Sequence, residues 1–516
     1  MLSTMRISVI VVLLTILFIP ESLLAHGLGE RYSVPIPLSF FIFGGAVTIM
    51  GSFLMVGMLL RGRAESFSYP RLSLIRNYWT WSVIMCPVIW ILQIGSVFLF
   101  FLLLCTSLLG TTRGVENFAP TFVWVIWWVG LGFFVAIFGN VWELTNPWKI
   151  IFSWFENIYR KLHGGERFYP VCDYPNRWSL WPALIMFILF AWIETSFMES
   201  SNPRALGFLV LGYSAYTFLG MYIFGKYAWL RNGEIFSVVF DLLSKFSIFE
   251  VSQSQKICCA SCSSENCQKS ESECVNCYEC IYVSEVKNLS IRPPAIGLNI
   301  GGPVRSSVLA MIMLLLASVT FDGFSATPEW SAIQGLFIIM LPNLTSPFIN
   351  GITIANTLGL VIFFAVFFSV YKIVSIFISN AISDKPYSSA YVMSSFALTL
   401  IPIALAYNYA HFLAFLLIQG QQIIPLISDP FGFNWDIFGT SDYLININVT
   451  NARFIWFFSV IVIVVGHVIS VYLSHIKALV MYKDGGQALR SQIPMLVLMV
   501  IYTVVSLWII SRPITE

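Results

Sequence analysis

The feature that most limits what this chain can become is the recurrence of long apolar runs with almost no charge. They are expected near residues 38–60, 79–105, 120–139, 179–198, 205–225, from 304, 352–380, 391–419, 454–475 and 494–511. At about 1.5 Å of rise per residue, a helix of ~20 residues crosses a hydrocarbon layer about 30 Å thick. Lipid offers no hydrogen bonds to a backbone, so runs of this kind span it as helices. The sequence therefore predicts an all-α polytopic membrane protein of ten spans. Charged residues make up only 10% of the chain, against roughly 25% in soluble domains. The formal net charge is +2 and there is no basic tract, so nucleic acid is not an expected partner; the lipid bilayer is.

Residues 1–25 read as a signal peptide: Arg6, an apolar run from Ile7 to Ile19, then Pro20 to Ala25. Bulky Leu23, three residues before the expected cut, leaves an uncleaved anchor as the alternative. Cleavage after Ala25 would expose His26, whose α-amine and ring Nδ1 form a good ligand pair for copper. Basic residues mark the cytoplasmic loops: Arg61, Arg63, Arg71 and Arg76; Arg160, Lys161, Arg167 and Arg177; Lys226; Lys477, Lys483 and Arg490. This places the protein in the cell membrane with both mature termini outside. The expected organisation is helices 1–5 over residues 26–255, a cysteine-rich cytoplasmic loop over 256–285, and helices 6–10 over 286–516. Two interfacial helices are expected, one around Pro147 to Phe155 and one from Gly233 to Phe249. Ile333 to Leu341 is too short to cross and is expected to be re-entrant.

Ionisable residues inside apolar spans are costly and mark functional positions. Glu194, Asp322 and His411 fall in the outer half of the bundle, with Gln419, Asp429 and Asp436 beyond them. Asn408, His411 and Phe415 share a helix face, and Asn408 could orient the imidazole. His467 lies deeper, and His475 reaches the inner interface about 12 Å farther along the same helix. Each also has a plain structural reading: an interhelical hydrogen bond for His411, a cap or turn for Asp322, Asp429 and Asp436, snorkelling for His475. The three histidines mark stations along a route through the membrane rather than one centre, and the loop holding Asp429 and Asp436 is a candidate lid.

Seven of the ten cysteines lie between residues 258 and 280. Cys259 and Cys262 form one Cys-x2-Cys pair, and Cys274, Cys277 and Cys280 form Cys-x2-Cys-x2-Cys, the spacing of thiolate knuckles. In a cytoplasmic loop, metal ligation is favoured over disulfides. Zinc is the expected ion, with Cu(I) or a redox-sensitive thiol set as alternatives. No phosphate loop, nucleophile elbow, His-Glu-x-x-His or dinucleotide fingerprint is present.

His26-Gly-Leu-Gly-Glu-Arg-Tyr, Trp181-Pro-Ala with Glu194, Val319 to Pro328, Ala410-His411 with Gln419-Gly-Gln421, and Gly466-His467 with Ser474-His475 together resemble a family of multi-pass bacterial and archaeal membrane proteins. The resemblance runs from His26 to nearly the C-terminus. The family is largely uncharacterised, and some members are labelled fenitrothion hydrolase, which implies organophosphate ester cleavage. No residue pattern here explains that activity.

The leading expectation is binding and transport of a transition metal ion, most plausibly copper. His26, His411, Glu194 and Asp322 would be its outer ligands, and His467 and His475 would lie deeper. A membrane-embedded hydrolase, or a non-catalytic subunit or assembly factor of a membrane complex, are the alternatives.

Overall fold

The computed structural model describes residues 37–59, 69–75, 81–253, 268–269, 274–276, 287–299, 302–346, 348–381, 387–482 and 484–512. Among these, ten helices are long and apolar enough to cross a membrane. They are α1 (Leu38–Leu59), α2 (Cys86–Leu109), α3 (Phe118–Phe138), α5 (Asn176–Ser196), α6 (Pro203–Phe224), α8 (Ser306–Ser325), α10 (Gly351–Asn380), α11 (Ser389–Ser428), α12 (Ala452–Tyr482) and α13 (Gly485–Ser511). Among the described residues, three further helices of ten or more residues are too short to span: α4 (Pro147–Leu162), α7 (Ile235–Ser244) and α9 (Pro328–Met340).

Local chemistry sets the helix starts. Pro203 and Pro328 occupy first-turn positions, where the missing N–H costs nothing. Asn202, Thr327, Asn350 and Asp484 accept hydrogen bonds from the free backbone N–H groups of α6, α9, α10 and α13.

Burial identifies the axis of the bundle. In α8, 78% of the most apolar window is buried, against 17% for α1, α2 and α10, which turn most of their surface outward to lipid. Helices α5, α10, α11 and α13 pack around α8. The α11–α12 contact is close because Gly466 has no side chain: a Cβ there would lie 2.4 Å from the Ala406 Cβ and 2.8 Å from the Pro402 carbonyl oxygen.

The two expected interfacial helices part company. Helix α4 buries Trp148, Ile150 and Phe152 and ends in exposed Arg160 and Lys161, an amphipathic surface helix. Helix α7 instead lies in the core, with Ile235, Phe236, Val238, Val239, Phe240 and Leu242 all buried. Neighbouring elements cover Ser237 and Ser244 as well, while Asp241 pairs with Lys245 at 3.1 Å. Buried Glu234 caps it through the N–H groups of Phe236 and Ser237, and Tyr213 and Asn146 donate to the same carboxylate. Helix α9 has 13 residues, about 20 Å, and packs beside α10 without crossing.

One element has no counterpart in the sequence reading. Five short strands, β1 (Leu72–Ile75), β2 (Phe249–Gln253), β3 (Gln268–Lys269), β4 (Cys274–Val275) and β5 (Lys287–Ile291), form an antiparallel sheet in the order β1-β5-β2-β4-β3. Buried Glu250 clasps it: Arg71 Nε lies 2.8 Å from Oε1, Arg292 Nη1 3.4 Å from Oε2, and the Tyr69 hydroxyl donates to Oε2 at 2.8 Å. Burial and this carboxylate raise the Tyr69 phenol above its ordinary range. Of the cysteine-rich segment's seven cysteines, only Cys274 is among the described residues. Cys274 lies in β4, opposite Gln253 of β2 and Lys269 of β3.

Candidate functional site

The candidate site forms where α3, α5, α8 and α11 meet near the end of the bundle opposite the sheet. Asp322 is on the last turn of α8 and His411 is in the second half of α11. His411 Nε2 lies 2.9 Å from Asp322 Oδ2. Neither side chain is fully enclosed, at 17% and 24% exposed, and Asp322 borders a neighbouring space that His411 does not line.

That space is a cavity of about 50 Å³ walled by Trp128, Phe187, Phe240 and Phe412 and by the polar residues Glu194, Asp322, Asn408 and Ser318. At roughly 10–15 Å³ per water, it holds a few waters or one small ion. Glu194 enters from α5, and the Trp128 indole N–H donates to its Oε1 at 2.8 Å. Trp128 sits in a stretch of α3, Thr121–Leu131, wound as a π-helix. Such widened turns are rare and frequently mark functional sites. The end of α5 is fixed by α10: Asn356 donates to the Thr195 carbonyl and Thr353 to that of Ser196.

Asp322 thus meets His411 and shares a cavity with Glu194; the sequence places the three at similar depth without showing that they meet. The partner that orients His411 is Asp322 rather than Asn408, which faces the cavity instead. The trio remains short of a metal cage: among the described residues, no group of three or more His, Cys, Asp or Glu side chains could hold a metal ion.

The other expected positions separate from this site. His467 is buried in α12, its Nδ1 2.8 Å from the Ile463 carbonyl oxygen, and its ring centroid is 5.7 Å from that of Tyr502. His475 is buried. Asp429 accepts from the N–H groups of Phe433 and Asn434, and Asp436 from that of Ser441, so both are turn formers. The Ser441 N–H holds the Asp436 carboxyl below its ordinary range. Their loop is pinned to the chain before α3, through Thr111 N–H to the Phe431 carbonyl and Phe118 N–H to that of Pro430. It supplies no wall of the cavity, so the lid expectation gains no support. Gln419 is exposed; it is Gln421 that ties the loop, bonding Asn446 and Tyr443. His26, Cys259, Cys262, Cys277 and Cys280 lie outside the described residues, as does the expected signal peptide.

Sequence reasoning missed Trp128, Tyr407, Thr320 and Tyr502, which border the site or continue from it. Nothing in a run of apolar and aromatic residues distinguishes the one indole N–H aimed at a carboxylate. Compared with protein-family models, curated proteins and solved structures, the chain matches none.

Proposed function

We propose that this membrane protein binds a cation at the cavity of Glu194, Asp322 and His411 and passes it through the helix bundle. The Asp322–His411 contact carries the reading. Ionisable groups within membrane-spanning segments are costly unless paired or set in a polar cavity. Two carboxylates line one small cavity, with the His411 imidazole bonded to one of them, and a positive charge there would relieve that cost. The contacts with His411 and Trp128 use one oxygen of each carboxylate, which leaves Asp322 Oδ1 and Glu194 Oε2 for an incoming ion.

Charge bias in the loops puts the cavity in the outer half of the membrane, so the ion would enter from outside. Copper suits the mixed imidazole and carboxylate donors, with His26 as the expected capture ligand. The cysteine segment, with Cys259, Cys262, Cys274, Cys277 and Cys280, would hold zinc on the inner side. A phosphoester would require the cavity to widen well beyond its present volume, which disfavours the hydrolase alternative.

Copper and zinc content of the purified protein, measured with Asp322→Asn and His411→Ala alongside, tests the proposal. Copper retained by the wild type and lost in both variants supports it. Equal, negligible copper in all three, with stoichiometric partner proteins co-purifying, would favour a subunit role instead.

A further inference from the structure

We infer that Asn343 and Asn448 are acceptors for N-linked glycans on the outer face of the protein. This does not rest on the cation reading, because both residues lie in connections that supply no wall of the cavity. The sequence holds three Asn-x-Ser/Thr triplets without proline at the middle position: Asn288-Leu289-Ser290, Asn343-Leu344-Thr345 and Asn448-Val449-Thr450. This is the acceptor pattern of N-glycosylation. The transferase must grip an asparagine amide and a hydroxyl two residues on, in a stretch of chain that it can reach. Topology and local structure separate the three triplets.

Helix α8 begins toward the sheet end, at Ser306, and reaches the cavity with Asp322 on its last turn. Helix α9 does not cross, α10 runs back, α11 returns and α12 leaves again. The connections 326–350 and 429–451 therefore lie at the same end of the bundle as Asp322. Neither contains a lysine or arginine, whereas residues 287–305, at the sheet end, contain Lys287, Arg292 and Arg305. This bias turns the two connections outward and the sheet toward the cytoplasm. Glycans built on a lipid carrier are transferred on the outward side, which Asn343 and Asn448 share and Asn288 does not.

Local structure draws the same line. Asn343 is exposed in a turn after α9, and Asn448 is exposed in a single 3-10 turn, Ile447–Val449. Among the described residues no hydrogen bond holds either side-chain amide; Asn448 donates its backbone N–H to the Asn446 side chain. Thr450 continues in extended backbone, with φ −142° and ψ 161°. Asn288 sits instead in β5, which is paired on both sides by β1 and β2. It lies opposite Ser252, and the hydroxyl-bearing Ser290 is buried, so a transferase would have to open the sheet to use it. The chain around Asn448 also leaves Leu444, Ile447 and Val449 in the open, at 86%, 67% and 51% exposed. A bulky, hydrated glycan beside them gives that apolar surface a cover.

The co-reactant is a glycan linked through phosphate to a polyprenyl lipid, and a membrane glycosyltransferase brings the two together. The asparagine Nδ2 attacks C1 of the first sugar. The new N–C bond forms as the C–O bond to phosphate breaks. The amide gives up one proton, and the polyprenyl-linked phosphate leaves with the bonding electron pair. The asparagine keeps one N–H and its carbonyl.

Peptide mapping by mass spectrometry, on the full chain purified from the membranes of its own cells, tests this. Glycopeptides are expected at Asn343 and at Asn448, with the Asn288 peptide bare. Asn343→Gln and Asn448→Gln should each remove one glycan and raise electrophoretic mobility by one step. Thr345→Ala and Thr450→Ala should do the same with the asparagine still in place. Thr345→Ser and Thr450→Ser keep the hydroxyl and should keep the glycan, which separates loss of the acceptor pattern from loss of fold. An unmodified Asn343 or Asn448 in the wild type overturns the assignment of that residue. A glycan on Asn288 overturns the topology on which both rest.

Discussion

Asp322 and His411, 89 residues apart in the chain, meet at 2.9 Å between two membrane-spanning helices. Each side chain answers the other's need: the carboxylate accepts from the ring, and the ring gives the carboxylate a polar neighbour in place of lipid. A double-mutant cycle with Asp322→Asn and His411→Ala should therefore show non-additivity in thermal stability, on the order of 0.5–3 kcal/mol as for residues in direct contact. Additive losses would mean the pair does not form in the membrane.

Trp128 donates its only N–H to Glu194, so Trp128→Phe keeps the aromatic wall and removes the hydrogen bond. Bonds to charged groups contribute about 1.5–3 kcal/mol. The expected result is weakened cation binding by roughly tenfold or more, with protein yield and helicity close to wild type. An unchanged affinity would show that Glu194 is held in place by packing alone.

The close approach at Gly466 leaves no room for a methyl group. Gly466→Ala should cost about 1–3 kcal/mol through overpacking, read as a lower unfolding midpoint in detergent. Ser470 and Ser474 bond Thr399 across the same contact, so those bonds should loosen with it. A variant of full stability would contradict the packing described here.

Much of this architecture was legible in the sequence, for a physical reason. Ten apolar runs near the thickness of a bilayer leave little choice of structure, and each structural span overlaps an expected one. Glu194, Asp322 and His411 were legible too, since ionisable residues stand out against hydrocarbon. Depth in the membrane could be counted from the sequence; helix neighbours could not, so His411 was matched with Asn408 on its own helix rather than with Asp322. Helix α7 reads as interfacial because Phe236, Val239, Phe240, Leu243 and Phe246 share an apolar side, while only its neighbours reveal that Ile235, Val238 and Leu242 are covered too. The sheet escaped because its strands are two to five residues long and far apart in the chain. Its clasp, Glu250 with Arg71 and Arg292, reads in sequence as ordinary loop charge.

That clasp gives a prediction independent of transport. Removing one partner of a buried ion pair typically costs about 3–5 kcal/mol, so Glu250→Ala should loosen the sheet while leaving the spans intact. Limited proteolysis should cut faster within residues 254–286, with helicity by circular dichroism nearly unchanged. Wild-type resistance would show that the clasp is not what holds this sheet.

Uptake of copper(I) into liposomes, comparing wild type with Asp322→Asn, tests the central claim most directly. The account expects saturable uptake by the wild type that falls at least tenfold when the Asp322 charge is removed. Equal uptake by the two proteins, or none above empty liposomes by either, would contradict it.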